Sequence, residues 1–395
     1  MLSSSARPSN SPYYGIGAFA LFSPLAVLYT VASHLVLKCT GRLPEPLAVS
    51  ATITTSSNAP VETETQIQRV AIVTGSNTGI GYETARALVL DHGMEVILAC
   101  RSRDKAQAAA DRIQQAFRTS ASTPSQRVGR AVVIHPLDLA SPQSVLDFCA
   151  ALKDKYTAVH VLVNNAGRNT SGKSPSGGNL DLLFASNFIG HFLLTSQIMP
   201  LLQAGVGARI VNVSSVMHHF CRSYGDLESV DFWKRVASAD VPPHDTYSLS
   251  KLAAVLFTIQ LRTRYPDIHS LAVNPGAVNS DIWRNFPRFF IPLFRLIYLN
   301  NKQGCQTSVA ASVLQNENGL RGTVMYLQPY ALPRSDCPPL PFLEMLGPYV
   351  GYRPTPPRLP TSDGGEAASR ALWNACDSLL SETPTNWPTL RSSRP

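Results

Sequence analysis

Residues 69–88 read RVAIVTGSNTGIGYETARAL. Four aliphatic residues and a threonine, Val70–Thr74, run without a break into a turn carrying Gly75, Gly79 and Gly81, and then into a helical pattern. A continuous apolar run of this length is the mark of a strand buried on both faces, as in a parallel sheet covered by helices. Glycines at this spacing let backbone N–H groups approach a pyrophosphate at a helix N-terminus, where the dipole and unpaired donors favour an anion. A glycine pattern alone says little; at the first strand-to-helix junction of an alternating chain it predicts a dinucleotide site.

The alternation continues outward from this unit. Strands are expected at Val70–Thr74, Glu95–Ala99, Ala131–His135, His160–Asn164, Arg209–Ser214, His269–Val273 and Thr323–Tyr326, about seven in all. Helices are expected near 80–91, 103–118, 142–155, 179–203, 245–264 and 302–315, with a surface loop at Thr119–Gly129. Strands alternating with helices specify an α/β, Rossmann-type doubly wound parallel sheet. The second strand ends at Cys100–Arg101, with Arg103 and Lys105 close behind. That is where an adenosine ribose would lie. An acidic residue there would favour NAD(H), whereas Arg101 favours the 2′-phosphate of NADP(H).

Around this domain, 69–330, the chain carries three other segments. Tyr14 to Leu37 is a run of 24 residues without Asp, Glu, Lys or Arg, within an N-terminal segment 1–42. As a helix it spans a bilayer core of about 30 Å. Lys38 and Arg42 follow where snorkelling cations would sit, and the run is too long for a cleaved signal peptide. An N-terminal transmembrane helix is therefore expected. Residues 43–68, rich in Thr, Ser, Pro and Glu, read as a linker, and 331–395 is a Pro-rich extension with one amphipathic helix pattern at Gly365–Leu380. The chain has 34 Lys and Arg against 26 Asp and Glu, a formal net charge of +8, yet only 15% charged residues. With no dense basic run, phosphate and membrane contacts fit this balance better than nucleic acid. The cysteines are scattered, with no pairing that suggests a metal or redox site, and are expected as buried reduced thiols.

Tyr247 and Lys251 are four residues apart on an expected helix, so both project from one face. A fixed ammonium one turn from a phenol is expected to favour the phenolate and lower its pKa, making Tyr247 a general acid to a carbonyl or base to an alcohol. Ser215, the second serine beyond a core strand, should stand at the carboxyl edge of the sheet and donate to a substrate oxygen.

The motifs TGSNTGIG at 74–81, LDL at 137–139, NNAG at 164–167, SNFIGHFLLT at 186–195, VNVSS at 211–215, YSLSK at 247–251 and NPG at 274–276 occur in order. Together they resemble the short-chain dehydrogenase/reductase superfamily over 69–330, with the flavour of its retinol-dehydrogenase-like branch. The N-terminal anchor, GIGY, GHFLLT and the SKL and PG motifs also resemble the membrane-anchored X-linked-type dehydrogenase/reductases of animals, which metabolise polyprenols and polyprenals. The resemblance implies catalysis by Asn187, Ser215, Tyr247 and Lys251, with Asn187 ordering a relay water and Lys251 holding the nicotinamide ribose. It implies cofactor contacts from Gly75, Ser76, Asn77, Gly79, Ile80, Gly81, Arg101, Asp138, Leu139, Asn165, Ala166, Gly167, Pro275, Gly276 and Ser280, and no metal. A homodimer through helices 179–203 and 245–264 is a further implication, as is a lipophilic substrate reached at the endoplasmic reticulum or a lipid droplet.

The segment WRNFPRFFIPLFRLIYL at 283–299 stands where the family keeps its substrate lid; either as a bilayer-surface element or as a pocket lining, it suits a large apolar substrate. The activity expected is thus NADP(H)-dependent interconversion of an alcohol and a carbonyl. A secondary-metabolite ketoreductase and a non-catalytic dinucleotide-binding scaffold remain compatible with the motifs.

Overall fold

The computed structural model describes residues 68–120, 129–172, 180–220, 226–238, 240–241, 243–276, 278, 299–313, 326–329, 352–355, 359 and 363–382. The expected anchor at 14–37, the linker up to residue 67, Ser280 and nearly all of the 283–299 segment fall outside them.

Strands β1 (Val70–Thr74), β2 (Glu95–Ala99), β3 (Arg130–Val132), β4 (Val161–Asn164), β5 (Arg209–Val213), β6 (His269–Val273), β7 (Tyr326–Pro329) and β8 (Tyr352–Thr355) form one sheet in the order β3-β2-β1-β4-β5-β6-β7-β8. All neighbours are parallel except β7 and β8. Helices α1 (Gly79–Leu90), α2 (Arg103–Ser120), α3 (Pro142–Lys155), α4 (Leu182–Ala204), α5 (Val230–Ala237), α6 (Pro243–Arg264), α7 (Asn301–Gly304), α8 (Gln306–Val313) and α9 (Glu366–Glu382) complete the order. The parallel Rossmann sheet expected from the sequence is present. β7 lies three residues later than expected, and β8 and α5 were not expected at all.

The strand register follows the two-residue period of the backbone. Val70 and Ile72 of β1, Ile97 and Ala99 of β2, Leu162 of β4 and Ile210 of β5 point into one core with α3, α4, α6 and α9. Ala71, Val73, Val96, Leu98, Val161, Val163, Val211 and Val213 point the other way, onto α1, α2 and α8. Both faces are covered, which is why these strands read as unbroken apolar runs. Each such Val, Leu or Ile side chain contributes about 1.5–3 kcal/mol by leaving water.

Local chemistry sets the helix starts. Ser141 caps α3 ahead of Pro142, accepting from Ser144 N. Asp181 accepts from Leu183 N and Phe184 N at 2.9 Å each and so caps α4. Helix α4 is largely apolar, with Asn187, His191 and Thr195 as a polar stripe along one face. It is long and apolar enough to cross a bilayer, but 78% of its most apolar stretch is buried inside the protein. It is a core helix.

Helix α9 of the C-terminal extension packs on α6, α5 and α4. Trp373 meets Phe192 edge-on with ring centroids 4.9 Å apart, lies 5.8 Å from Phe257, and carries the Arg264 guanidinium 4.3 Å above its ring. Gln260 donates to Ser369 Oγ at 2.9 Å inside the same contact. α9 therefore lies on the two helices to which the resemblance assigns subunit pairing. Among the described residues Cys100, Cys149, Cys305 and Cys376 are free and buried, as expected.

Trp373→Ala should cost about 3–5 kcal/mol of stability, because the aromatic cluster cannot close over the space it leaves. Urea unfolding of the variant measures this; a loss under 1 kcal/mol would show that α9 is only loosely attached.

Candidate active site

The carboxyl ends of β1, β2, β4, β5 and β6 surround a cavity of about 650 Å³. Its floor begins at the glycine turn. Gly75 and Gly79 have φ of 65° and 63°, in the left-handed region that favours glycine. A Cβ on Gly75 would lie 2.9 Å from Ala166 Cα, and one on Gly81 would strike Asn165 Nδ2 and the Gly75 carbonyl. The turn and the loop after β4 are thus in backbone contact, with no room for a side chain between them.

Thr74 ties the two together. Its Oγ1 accepts from Asn165 N and Ala166 N at 2.9 Å each, and Asn165 Nδ2 donates to the Thr74 carbonyl at 2.8 Å. The first turn of α1 opens onto the cavity, no acidic residue stands in it, and the Thr78 side chain makes no capping bond there. These residues fit a dinucleotide pyrophosphate: uncapped donors at a helix N-terminus above a glycine cradle.

At one end the cavity is lined by Cys100, Arg101, Ser102 and Lys105, with Leu137, Asp138 and Leu139 on its wall. Asp138 is held by a bond from its own N–H to Ser144 Oγ at 2.9 Å and accepts from Ala140 N at 3.0 Å. Arg101 and Lys105 line this end and are exposed. Asn77, Ile80, Asn165, Ala166, Gly167, Pro275 and Gly276 also line the space; Gly276 turns with φ of 79° while its N–H donates to Asn274 Oδ1 at 3.0 Å. Ser76 does not line it. Its hydroxyl is buried and donates to Val73 O at 2.8 Å, so Ser76 shapes the turn from beneath. Ser280 lies outside the described residues.

At the other end Ser215, Tyr247 and Lys251 converge. Met217 N–H donates to Ser215 Oγ at 3.2 Å, leaving the serine proton to give; Ser215 also hydrogen-bonds the Tyr247 phenol. Lys251 Nζ donates to the Val213 carbonyl at 2.9 Å and lies 5.7 Å from the Tyr247 ring centre. Ser214 Oγ donates to the Lys251 carbonyl at 2.7 Å, anchoring α6 to the end of β5. Beneath them runs a buried polar ladder. Asn164 Nδ2 donates to Thr195 Oγ1 and Asn212 Oδ1, and Asn212 Nδ2 to Thr258 Oγ1, which fixes α4, β4, β5 and α6 together.

Asn187 is not in the cavity wall. It lies in a π-helical turn, Ala185–Ile189, where it is buried. Its Oδ1 accepts from Arg168 N at 2.8 Å and its Nδ2 donates to Arg168 O at 2.9 Å and Ser250 Oγ at 3.2 Å.

One expectation is overturned. Lys251 does not lower the Tyr247 pKa; burial pushes the phenol up to about 12, opposed only by the bond from Ser215. The ammonium is spent on the Val213 carbonyl and is itself pushed down to about 8 by burial. Tyr247 is accordingly a phenol at neutral pH, ready to donate.

Residues that the sequence reading passed over also line this end: Arg168, Asn169, Thr170, Ser186 and Met217. Their places directly after the NNAG loop, beside Asn187 and after Ser215 are the signals that could have found them.

A Lys251 pKa near 8, below its ordinary 10.5, carries a sign that can be checked. Between those values the unfolded chain holds a proton that the folded chain has released, so this group makes stability rise with pH there. Unfolding free energies from urea titrations between pH 7 and 10 should rise in the cofactor-free protein relative to Lys251→Met by up to about 3 kcal/mol. Parallel profiles for the two proteins would contradict the buried, desolvated ammonium.

Comparison with known proteins bears on the family and the fold. The short chain dehydrogenase family is matched by residues 69–223. Retinol dehydrogenase 11 of Mus musculus is 34% identical over 260 residues, covering 65% of this chain and 76% of the relative. Polyprenol dehydrogenase of Homo sapiens is 33% identical over 271 residues, covering 65% and 76%. Among solved structures, an uncharacterised protein from Mycobacterium paratuberculosis superposes with a TM-score of 0.51 at 25% identity, over 79% of this chain and 93% of that one. The chain belongs to the short-chain dehydrogenase/reductase family, in its retinol-dehydrogenase-like branch, and is an oxidoreductase.

Proposed function

We propose that this chain is a membrane-anchored, NADP(H)-dependent reductase of a lipophilic aldehyde or ketone, polyprenoid, retinoid or steroid in type. The observation that carries the reading is the placement of both ends of one cavity. Arg101 and Lys105 stand at the adenosine end, and Ser215, Tyr247 and Lys251 at the other. A bound nicotinamide would exchange a hydride with the substrate carbon.

The chain's own residues do the remainder. Ser215 donates to the carbonyl oxygen, polarising it. Tyr247, a phenol at neutral pH, gives that oxygen its proton as the carbon gains the hydride, and the product is the alcohol. Lys251, whose Nζ is fixed on the Val213 carbonyl 5.7 Å from the Tyr247 ring, would hold the nicotinamide ribose. A scaffold that only bound a dinucleotide would have no use for a serine hydroxyl aligned on this phenol.

The lipophilic class rests on two supports. The relatives named above are dehydrogenases of retinol and polyprenol. Leu299, the last residue of the aromatic sequence run 283–299, bridges in parallel to the cavity residue Val278. The uncharged run 14–37 supplies the anchor, with the endoplasmic reticulum or a lipid droplet as its membrane. Homodimerisation through α4 and α6 would have to accommodate α9, whose Trp373 already packs on Phe192 and Phe257.

Incubation of the full chain with NADPH and a panel of polyprenal, retinal and steroid ketones should consume cofactor with at least one of them. Tyr247→Phe should then lose roughly 10²–10⁴-fold in kcat while still binding NADPH; unchanged turnover would sink the mechanism. Arg101→Glu should raise KM for NADPH by roughly ten- to a hundredfold and leave that for NADH near its starting value. An equal change for both cofactors would overturn the 2′-phosphate assignment.

A further inference from the structure

His191 belongs to no part of the chemistry above, yet it stands at the centre of the site's framework. It lies on α4, one turn after Asn187, and is 4% exposed. Its Nδ1 is 3.0 Å from the Asn187 carbonyl oxygen and its Nε2 2.9 Å from Thr74 Oγ1.

The neighbours fix the tautomer. Thr74 Oγ1 already accepts two N–H bonds, from Asn165 and Ala166. Its one hydrogen is therefore available to an acceptor, and the nearest is His191 Nε2, at 2.9 Å against 3.3 Å for Val163 O. The other ring nitrogen then carries the proton and donates to the Asn187 carbonyl, which can only accept. Burial and the Lys251 charge push the imidazole down to about 4, so this neutral form holds throughout the physiological range.

The bonds close a triangle. The loop 165–168 is held at one end by Thr74, through the N–H groups of Asn165 and Ala166. At the other end it is held by the Asn187 side chain, which clamps both backbone groups of Arg168. His191 is the third side, joining Thr74 to Asn187. Gly167 lies within the loop so held, at the point where an added Cβ would be 3.6 Å from Lys251 Nζ and 3.7 Å from Asn187 Oδ1.

We propose that His191 is a positioning residue for the hydride-transfer reaction: it sets the separation of Thr74 from the Asn187 turn, and through them the height of the 165–168 loop beside Lys251. The effect falls on the reacting end of the cavity. The imidazole bonds Thr74 and the Asn187 turn; Arg101, which lines the other end of the cavity, bonds neither ring nitrogen. Replacing His191 should therefore slow turnover more than it weakens cofactor binding. This inference rests on the proposed reading that reduction takes place at Tyr247, so one arm of its test is independent of turnover.

In that arm the full chain is labelled with ¹⁵N-histidine, and the His191 ring, assigned by its loss in His191→Asn, is read by NMR from pH 6 to 8. The expected result is a non-titrating ring protonated at Nδ1 alone. An Nε2-protonated or titrating ring would overturn the proposal, whatever the enzyme's substrate.

In the second arm, kcat with the best carbonyl of the panel and NADPH affinity by fluorescence are compared for His191→Phe, which keeps volume, and His191→Asn, which restores a donor toward the Asn187 carbonyl. His191→Phe should lose roughly ten- to a hundredfold in kcat with NADPH affinity changed less than about twofold, and His191→Asn should recover most of kcat. Wild-type kcat in His191→Phe, or parallel losses of kcat and NADPH affinity, would overturn the assignment. Should His191→Phe not fold, His191→Gln takes its place, offering an amide toward Thr74 but no donor at the Nδ1 position. Equal kcat in the Gln and Asn variants would then count against it.

Discussion

The rest of the molecule depends on the contact between the glycine turn after β1 and the loop after β4. These two backbones meet where the sheet reverses its winding, and neither Gly75 nor Gly81 can carry a side chain without striking Ala166, Asn165 or the turn itself. The sheet order requires it, because β1 and β4 are neighbours whose helices leave on opposite faces. Thr74 then converts proximity into fixed geometry by accepting two N–H groups of the loop. Everything catalytic is hung from that joint: the pyrophosphate cradle on one side, and on the other the loop that meets Asn187 and Lys251.

The electrostatics of the site follow from its burial. A phenol and an ammonium enclosed together are each penalised for leaving water before either can profit from the other. Here the lysine resolves its cost on the Val213 carbonyl and the tyrosine on Ser215. The resting pair is a neutral phenol and an easily released lysine proton.

Much of the fold was legible because it is written in local pattern. Val70–Thr74, Glu95–Ala99 and His269–Val273 are buried on both faces, and their aliphatic runs mark them directly. Pro142–Lys155 announces itself by Ser141 and Pro142. Ser215, Tyr247 and Lys251 were equally legible, by spacing and by their motifs, and the structure brings them to one end of one cavity. What was not legible depends on long-range packing. β8 is a short antiparallel strand containing Pro354, tolerated because it is an edge. α5 buries Phe232, Trp233 and Val236 on one face, but its eight residues are too few to stand out within the 31 residues between Ser215 and Tyr247. The Tyr247 pKa went the wrong way because four-residue spacing reports nearness and not the depth at which the pair is buried. His191 was invisible for a related reason: its partners are 117 residues upstream and one turn upstream, and only the fold joins them.

The central claim is that a carbonyl carbon receives a hydride at the end of this cavity while Tyr247 protonates its oxygen. Its most direct test is a single turnover with NADPH deuterated at the transferable position of nicotinamide C4, using the best carbonyl of the panel, with the product read by mass spectrometry and NMR. The account predicts one deuterium on the carbinol carbon of the alcohol and none elsewhere, with the proton on oxygen drawn from solvent. An alcohol product without deuterium on that carbon would contradict it.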